Sequence, residues 1–205
     1  MGEAAKNLAG IGPTPERAGC ALWFTGLPGS GKSAVALAVR DALAAAGLPA
    51  VWLSMDESRK RYVTRPSYTG EERDAAYRRF ADEAASLAAS GEIVLMDGTA
   101  HKLAMRRYAR DHIERFAEVY VRCPLTEAMR REAARPEGLV MAGLYAKAIR
   151  RKMTGKDEPG LGEVVGVDVP FEEDPQAECL IDSEHMSVNE ARDLVLARFA
   201  PWFGE

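Results

Sequence analysis

Five short apolar runs punctuate the chain, with longer stretches of mixed polarity between them. Ala21–Thr25, Val51–Ser54, Ile93–Met96, Val119–Val121 and Cys179–Ile181 read as buried strands. The intervening stretches read mostly as helices. Lys32–Ala46 is rich in alanine and holds no Gly or Pro, and Gly47 stops it. Residues 71–90 space Ala76, Phe80, Ala84, Leu87 and Ala88 along a helical face. Lys102–Arg115, Leu125–Ala134 and Ser187–Phe199 complete the helical set. Residues 55–70, with Pro66 and Gly70, read as polar and irregular, and residues 135–175 as the least regular part of the chain. Strands alternating with helices predict an α/β fold, a five-stranded parallel sheet covered on both faces.

The length of 205 residues suits one domain with a small appendage. Residues 1–19, rich in Gly, Pro and Ala, read as a flexible N-terminal leader, and 20–205 as the domain. A composition of 47% hydrophobic and 28% charged residues excludes a disordered chain, a collagen or a disulfide miniprotein. No apolar run is long enough to span a bilayer. Glu3, Lys6, Glu16 and Arg17 interrupt the leader, which lacks the apolar centre of a signal peptide. Cys20, Cys123 and Cys179 are an odd, widely spaced set without metal-ligand spacing, which points to a reduced, cytoplasmic protein.

The net charge of −4 argues against a general nucleic-acid binder. Its distribution is more informative. Residues 101–152 hold 13 Lys/Arg against 6 Asp/Glu, whereas residues 157–193 hold 12 Asp/Glu and one Arg. A basic middle followed by an acidic tail suits a small anionic ligand better than a long polyanion, and solvated helix faces would look the same.

The strongest chemical signal is Gly26-Leu27-Pro28-Gly29-Ser30-Gly31-Lys32-Ser33, which fits G-x-x-x-x-G-K-[ST] between a strand and a helix. Glycines let successive backbone N–H groups turn inward onto phosphate oxygens, and the helix N-terminus that follows through Ala34 adds partial positive charge. Lys32 then reaches the β- and γ-phosphates, and Ser33 ligates Mg²⁺. The motif implies binding of a nucleoside triphosphate. Five strands leave no room for a helicase or transporter module, and no Asn/Thr-Lys-x-Asp base-reading motif of a GTPase is present. A compact small-molecule kinase using ATP and Mg²⁺ is favoured: a three-layer P-loop fold with a lid over about 135–175.

The acceptor belongs at the carboxyl ends of the strands. Asp56 follows the second strand there, placed to orient or deprotonate a hydroxyl or to hold Mg²⁺, or simply to cap the next turn. Asp97 ends the third strand, where it supports Mg²⁺ or opens an Asp-Gly turn. Arg59, Arg73, Arg78 and Arg79 lie around the next loop and helix. Arginine binds phosphate and sulfate in a fork, but so charged a helix mostly faces solvent, so no more than two of the four are expected at a site. His101 and His112 are assigned no role.

Together these residues resemble the adenylylsulfate (APS) kinase family from about Ala21 to Asp182. Where the family has Asp-Gly-Asp-Asn-x-x-Arg after the second strand, this chain has a segment that keeps Asp56 and Arg59 but loses the first Asp. Tyr68 and Arg73 keep the spacing of the family's adenine-stacking aromatic and its Arg, and Arg78 and Arg79 match a twin Arg. Phe116–Leu125, Gly143–Ala148 and Gly166–Glu172 match its fourth strand, its lid segment and its Gly-Ile-Asp-x-Pro-Tyr-Glu loop. The resemblance implies transfer of the ATP γ-phosphoryl to the 3′-hydroxyl of APS in sulfate assimilation. Lys32 and Asp56 would be catalytic, Arg59, Tyr68, Arg73 and Lys147 would bind the acceptor, and the chain would form a homodimer.

The acceptor side departs from the pattern. Thr99-Ala100-His101 replaces Ile-Ser-Pro, so the family Ser, to which a phosphoryl-carrying role is attached, is Ala100. Ala76 replaces an Asn, Ala142 replaces the Lys opening the lid segment, and about ten residues near Ala133–Ala142 are inserted. Two alternatives therefore stand beside an APS kinase. One is a P-loop kinase of another small acceptor: a nucleotide-diphosphate derivative, a sugar acid or a phosphonate-type metabolite. The other is a nucleotide-binding module without turnover, against which the intact Lys32, Ser33 and Asp56 argue.

Overall fold

The computed structural model of the chain describes residues 18–63, 69–134 and 143–203. The leader, apart from Ala18 and Gly19, lies outside them, as do Tyr68, Ala142 and most of the inserted segment.

The five runs form strands β1 (Cys20–Thr25), β2 (Ala50–Ser54), β3 (Ile93–Asp97), β4 (Phe116–Arg122) and β5 (Cys179–Asp182). They pair in parallel in the order β2-β3-β1-β4-β5. Side-chain alternation along central β1 supplies both faces of the core. Cys20, Leu22 and Phe24 pack with Val35, Val39 and Leu43 of α1 (Lys32–Ala45) and Val195, Phe199 and Phe203 of α7 (Val188–Phe203). Ala21 and Trp23 pack on the opposite face, against Ala76, Tyr77, Phe80 and Ala84 of α3 (Gly70–Ala89) and Met105 and Ala109 of α4 (Leu103–His112). None of the three cysteines forms a disulfide, and all are buried. No described helix is long and apolar enough to cross a membrane.

Two stretches read as irregular contain helices. Met55–Tyr62 forms α2, with Ser54 at its N-cap and Asp56 and Glu57 in its first turn, where carboxylates complement the helix dipole. Only Met55 and Ser58 of this helix are buried, so it shows no apolar period. Leu144–Thr154 forms α6, after α5 (Leu125–Ala133). Leu144, Tyr145 and Ala148 of α6 and Val164 form a small apolar cluster outside the main core. Four hydrogen bonds help to fix this lid segment. The Tyr145 hydroxyl donates to the Pro28 carbonyl at 2.8 Å. Asp168 accepts from Arg151 and from the Val164 N–H, both at 2.7 Å. The Glu172 N–H donates to the His101 carbonyl at 2.8 Å.

Candidate active site

The phosphate loop joins β1 to α1 and is shaped by close backbone approaches. A Cβ on Gly26 would lie 2.4 Å from the Val121 carbonyl oxygen, and one on Gly29 would lie 2.4 Å from that of Ala128. Both residues have positive φ, so glycine is required twice over at each. Gly31, at φ 95°, is the N-cap of α1 and offers no side-chain cap. No acidic residue stands in the first turn of α1, so its N–H groups are open to an external anion. The buried Ser30 hydroxyl has no hydrogen-bond partner, which is an orphaned donor inside the loop. Lys32 arches back over the loop, with Nζ 3.5 Å from the Leu27 carbonyl. Ala34 is exposed and Ser33 half-buried at the start of α1.

Asp97 lies beneath this loop, only 5% exposed. Burial pushes its carboxyl above the ordinary range, opposed by the Lys32 charge and the Ser33 hydroxyl, while the negative charge of Asp56 adds to the rise. Ser33, Asp97 and Asp56 thus bring hard oxygen donors to one electrostatic neighbourhood, a donor set that fits Mg²⁺. Asp56 is exposed, and the capping alternative falls away because Ser54 holds that position.

Beside the loop opens a cavity of about 270 Å³. Arg59, Lys60, Arg73, Asp56 and Glu163 supply its charge, and Met55, Leu144, Val164 and Val165 are among its apolar walls. Arg73 is 8% exposed, and its Nη2 donates to the Glu163 carbonyl at 2.7 Å. Its Nη1 faces the Glu163 carboxylate at 3.9 Å and makes no hydrogen bond. Arg59 pairs with Glu72 at 3.6 Å. Arg78 and Arg79 face solvent, and Arg79 stacks over the Tyr62 ring 4.8 Å from its centroid. Two of the four arginines therefore reach the cavity. Lys147 does not: it is exposed on α6, outside the lining. Tyr68 lies outside the described residues.

Three side chains at the cavity escape a reading of the sequence alone. Tyr77, one helical turn beyond Arg73, accepts the Ala100 N–H at 2.9 Å and lines the wall. Its spacing from Arg73 was the available signal. His101 also lines the wall. Glu163 comes from the lid, and no local pattern marks it.

Behind the cavity, Arg106 and Glu118 form a pair 1% and 0% exposed, with Nε to Oε2 at 2.9 Å. Arg106 also donates to the carbonyls of Ala100 and Glu172, tying the β3–α4 loop to the lid. The basic middle and the acidic tail neutralise each other in part: Arg110 binds Glu178 at 2.5 Å, Arg122 binds Asp182 at 2.9 Å and Arg151 binds Asp168 at 2.7 Å.

Known proteins resemble this chain in sequence and fold. The sequence profile of the family described as Adenylylsulphate kinase matches residues 18–182. The adenylyl-sulfate kinase of Paraburkholderia xenovorans is 33% identical over 180 residues, 87% of this chain and 92% of that protein. The probable adenylyl-sulfate kinase of Archaeoglobus fulgidus is 31% identical over 163 residues, 80% of this chain and 95% of that protein. Among solved structures, the Mycobacterium tuberculosis APS kinase CysC in complex with AMPPNP and APS superposes with a TM-score of 0.75 at 29% identity, covering 89% of this chain and 98% of its own. A phosphate loop on a five-stranded parallel sheet, a cationic cavity beside it and a family match from Ala18 to Asp182 converge, and the chain belongs to the adenylylsulphate kinase family of P-loop kinases.

Proposed function

We propose that this kinase transfers the γ-phosphoryl group of ATP to the 3′-hydroxyl of adenylyl sulfate. The observation that carries the reading is the cavity beside the phosphate loop, where buried Arg73 and half-buried Arg59 meet the aliphatic walls of Met55, Leu144, Val164 and Val165. Guanidinium groups suit a sulfate–phosphate anhydride, and apolar walls suit a flat base.

In this reading the glycine loop and the α1 N-terminus hold the ATP phosphates, and Lys32 neutralises charge on the transferring group. Mg²⁺ would be held by Ser33 with Asp97 and Asp56 and would supply neutralisation of the phosphate charge. Asp56, exposed on the rim of the cavity, orients the acceptor hydroxyl and takes its proton. Arg59 and Arg73 hold the acceptor anion, with Tyr68 stacking on the base and Lys147 joining from α6 when the lid closes. Closure excludes water, so that transfer outruns hydrolysis. The resemblance also implies a homodimer, which sedimentation of the purified chain tests.

The test is ADP release with ATP-Mg²⁺ and adenylyl sulfate. Turnover that depends on adenylyl sulfate and is abolished by Lys32→Ala supports the reading. Asp56→Asn should cut kcat by about 10²–10⁴-fold, as loss of a general base does. Nucleotide binding without acceptor-dependent turnover sinks it. A second reading, a kinase of another small hydroxyl-bearing anion, draws on the buried methyl groups of Ala76 and Ala100 where the family pattern has Asn and Ser.

A further inference from the structure

The β3–α4 loop is held by several hydrogen bonds. The Thr25 hydroxyl donates to the Thr99 carbonyl at 2.6 Å. The Ala100 N–H is taken by Tyr77, and its carbonyl by Arg106. The His101 carbonyl accepts the Glu172 N–H, and Lys102 binds Asp74 at 2.9 Å. Ala100 itself sits at φ 38°, a left-handed conformation that a non-glycine residue adopts only when its surroundings impose it. So firmly fixed a loop leaves the His101 ring little freedom to find a new partner within the protein.

His101 is 4% exposed, lines the cavity, and its Nδ1 has no hydrogen-bond partner. A buried nitrogen left unpaired lowers stability, and a purely structural histidine normally pairs both of its ring nitrogens. The charges facing the ring are Arg73 and Lys102 on one side of the balance and Asp74 and Glu172 on the other. Burial, reinforced by the two cations, pushes the imidazolium pKa down to about 4. Near neutral pH the ring is therefore uncharged, one nitrogen donating and one accepting. Arg73, next to it in the same wall, supplies the positive charge. The wall thus presents two kinds of recognition: a guanidinium for an anionic group and a neutral imidazole for an uncharged one.

We propose that His101 is a specificity-determining residue of the acceptor cavity, hydrogen-bonded to an uncharged polar group of the acceptor, a hydroxyl or an amine, beside the anionic group held by Arg73. This rests on adenylyl sulfate being the acceptor. A site built around such a bond discriminates against analogues that lack the polar group, because the ring then stays unpaired.

The test compares His101→Phe, His101→Asn and His101→Gln in the full chain, with adenylyl sulfate and ATP-Mg²⁺ as substrates. His101→Phe keeps a flat ring and removes both nitrogens; the amides keep a donor and an acceptor. The expected result is an adenylyl sulfate KM raised about ten-fold or more in His101→Phe, with the ATP KM within about two-fold of wild type. At least one amide should recover most of the loss. An unchanged acceptor KM in all three variants overturns the proposal. So does an equal loss of kcat and of melting temperature in all three, which marks a residue that only shapes the loop. Absence of turnover by the wild-type chain is a different failure: it removes the acceptor reading itself and this inference with it.

Discussion

Replacing Arg106 by methionine should unsettle both the core and the site. The side chain keeps much of its apolar stem but loses its charge and its bonds to Glu118, Ala100 and Glu172. Glu118 would remain fully buried without a counter-charge, and its Oε1 is unpaired even in the native chain. Removing one partner of a buried ion pair costs about 3–5 kcal/mol. For a chain of this size, about 2–4 °C per kcal/mol translates this into a Tm lowered by about 6–20 °C. The loss should depend on pH. Burial already raises the Glu118 carboxyl above its ordinary 4.5, and Arg106 is the first group opposing that rise. Without Arg106 the folded pKa climbs further. A raised folded pKa gives stability that is complete below the unfolded value and lost as pH rises through the folded one. The deficit of the variant should therefore shrink between about pH 8 and pH 5. Scanning calorimetry at both values measures it, and Arg106→Met/Glu118→Leu should regain part of the loss by removing the stranded carboxylate. A cost below about 1 kcal/mol for the single variant, or a deficit indifferent to pH, refutes the reasoning.

Other consequences can be measured as directly. The His101 pKa is pushed down to about 4 from 6.5, so its contribution is intact above the unfolded value and lost as pH falls toward 4. The loss amounts to at most about 3 kcal/mol, and urea midpoints for His101→Asn should fall less than those of wild type over that window. Gly29→Ala should destabilise the chain and weaken ATP binding, since its Cβ would meet the Ala128 backbone oxygen at 2.4 Å. Gly47→Ala, at φ 78° with open space around it, should cost only about 1–2 kcal/mol and leave nucleotide affinity alone; parallel thermal melts and ATP titrations separate the two. Glu163→Gln removes the carboxylate 3.9 Å from Arg73, so the adenylyl sulfate KM should fall while the ATP KM stays fixed, and steady-state kinetics decide it.

The sheet was readable because its strands, buried on both faces, are nearly continuous apolar runs. Its fourth strand read short, as Val119–Val121, because Glu118 interrupts the pattern; the strand runs from Phe116 to Arg122 because Arg106 satisfies that charge from α4. Helix α2 was missed for the opposite reason, since only Met55 and Ser58 face inward and the remainder is polar. The phosphate loop is local, and its place between β1 and α1 was legible in the motif. The cavity beside it is not local. Arg73 was one of four arginine candidates, and it separates from Arg78 and Arg79 only when the lid carbonyl of Glu163, ninety positions further along, is brought against it. The charge asymmetry pointed to an anionic ligand, yet part of it is spent on pairs such as Arg110 with Glu178.

The three buried thiols make the native chain a reporter of its own opening. Cys20 and Cys179 lie at 0% and 5% exposure in the layer beneath α1 and α7, and Cys123 at 6% follows β4. A bulky alkylating reagent reaches the first two only when the layer parts, so their modification rate clocks the unfolding of that half of the molecule. Mass spectra taken through such a time course would show whether Cys20 on β1 and Cys179 on β5 are released together or in turn.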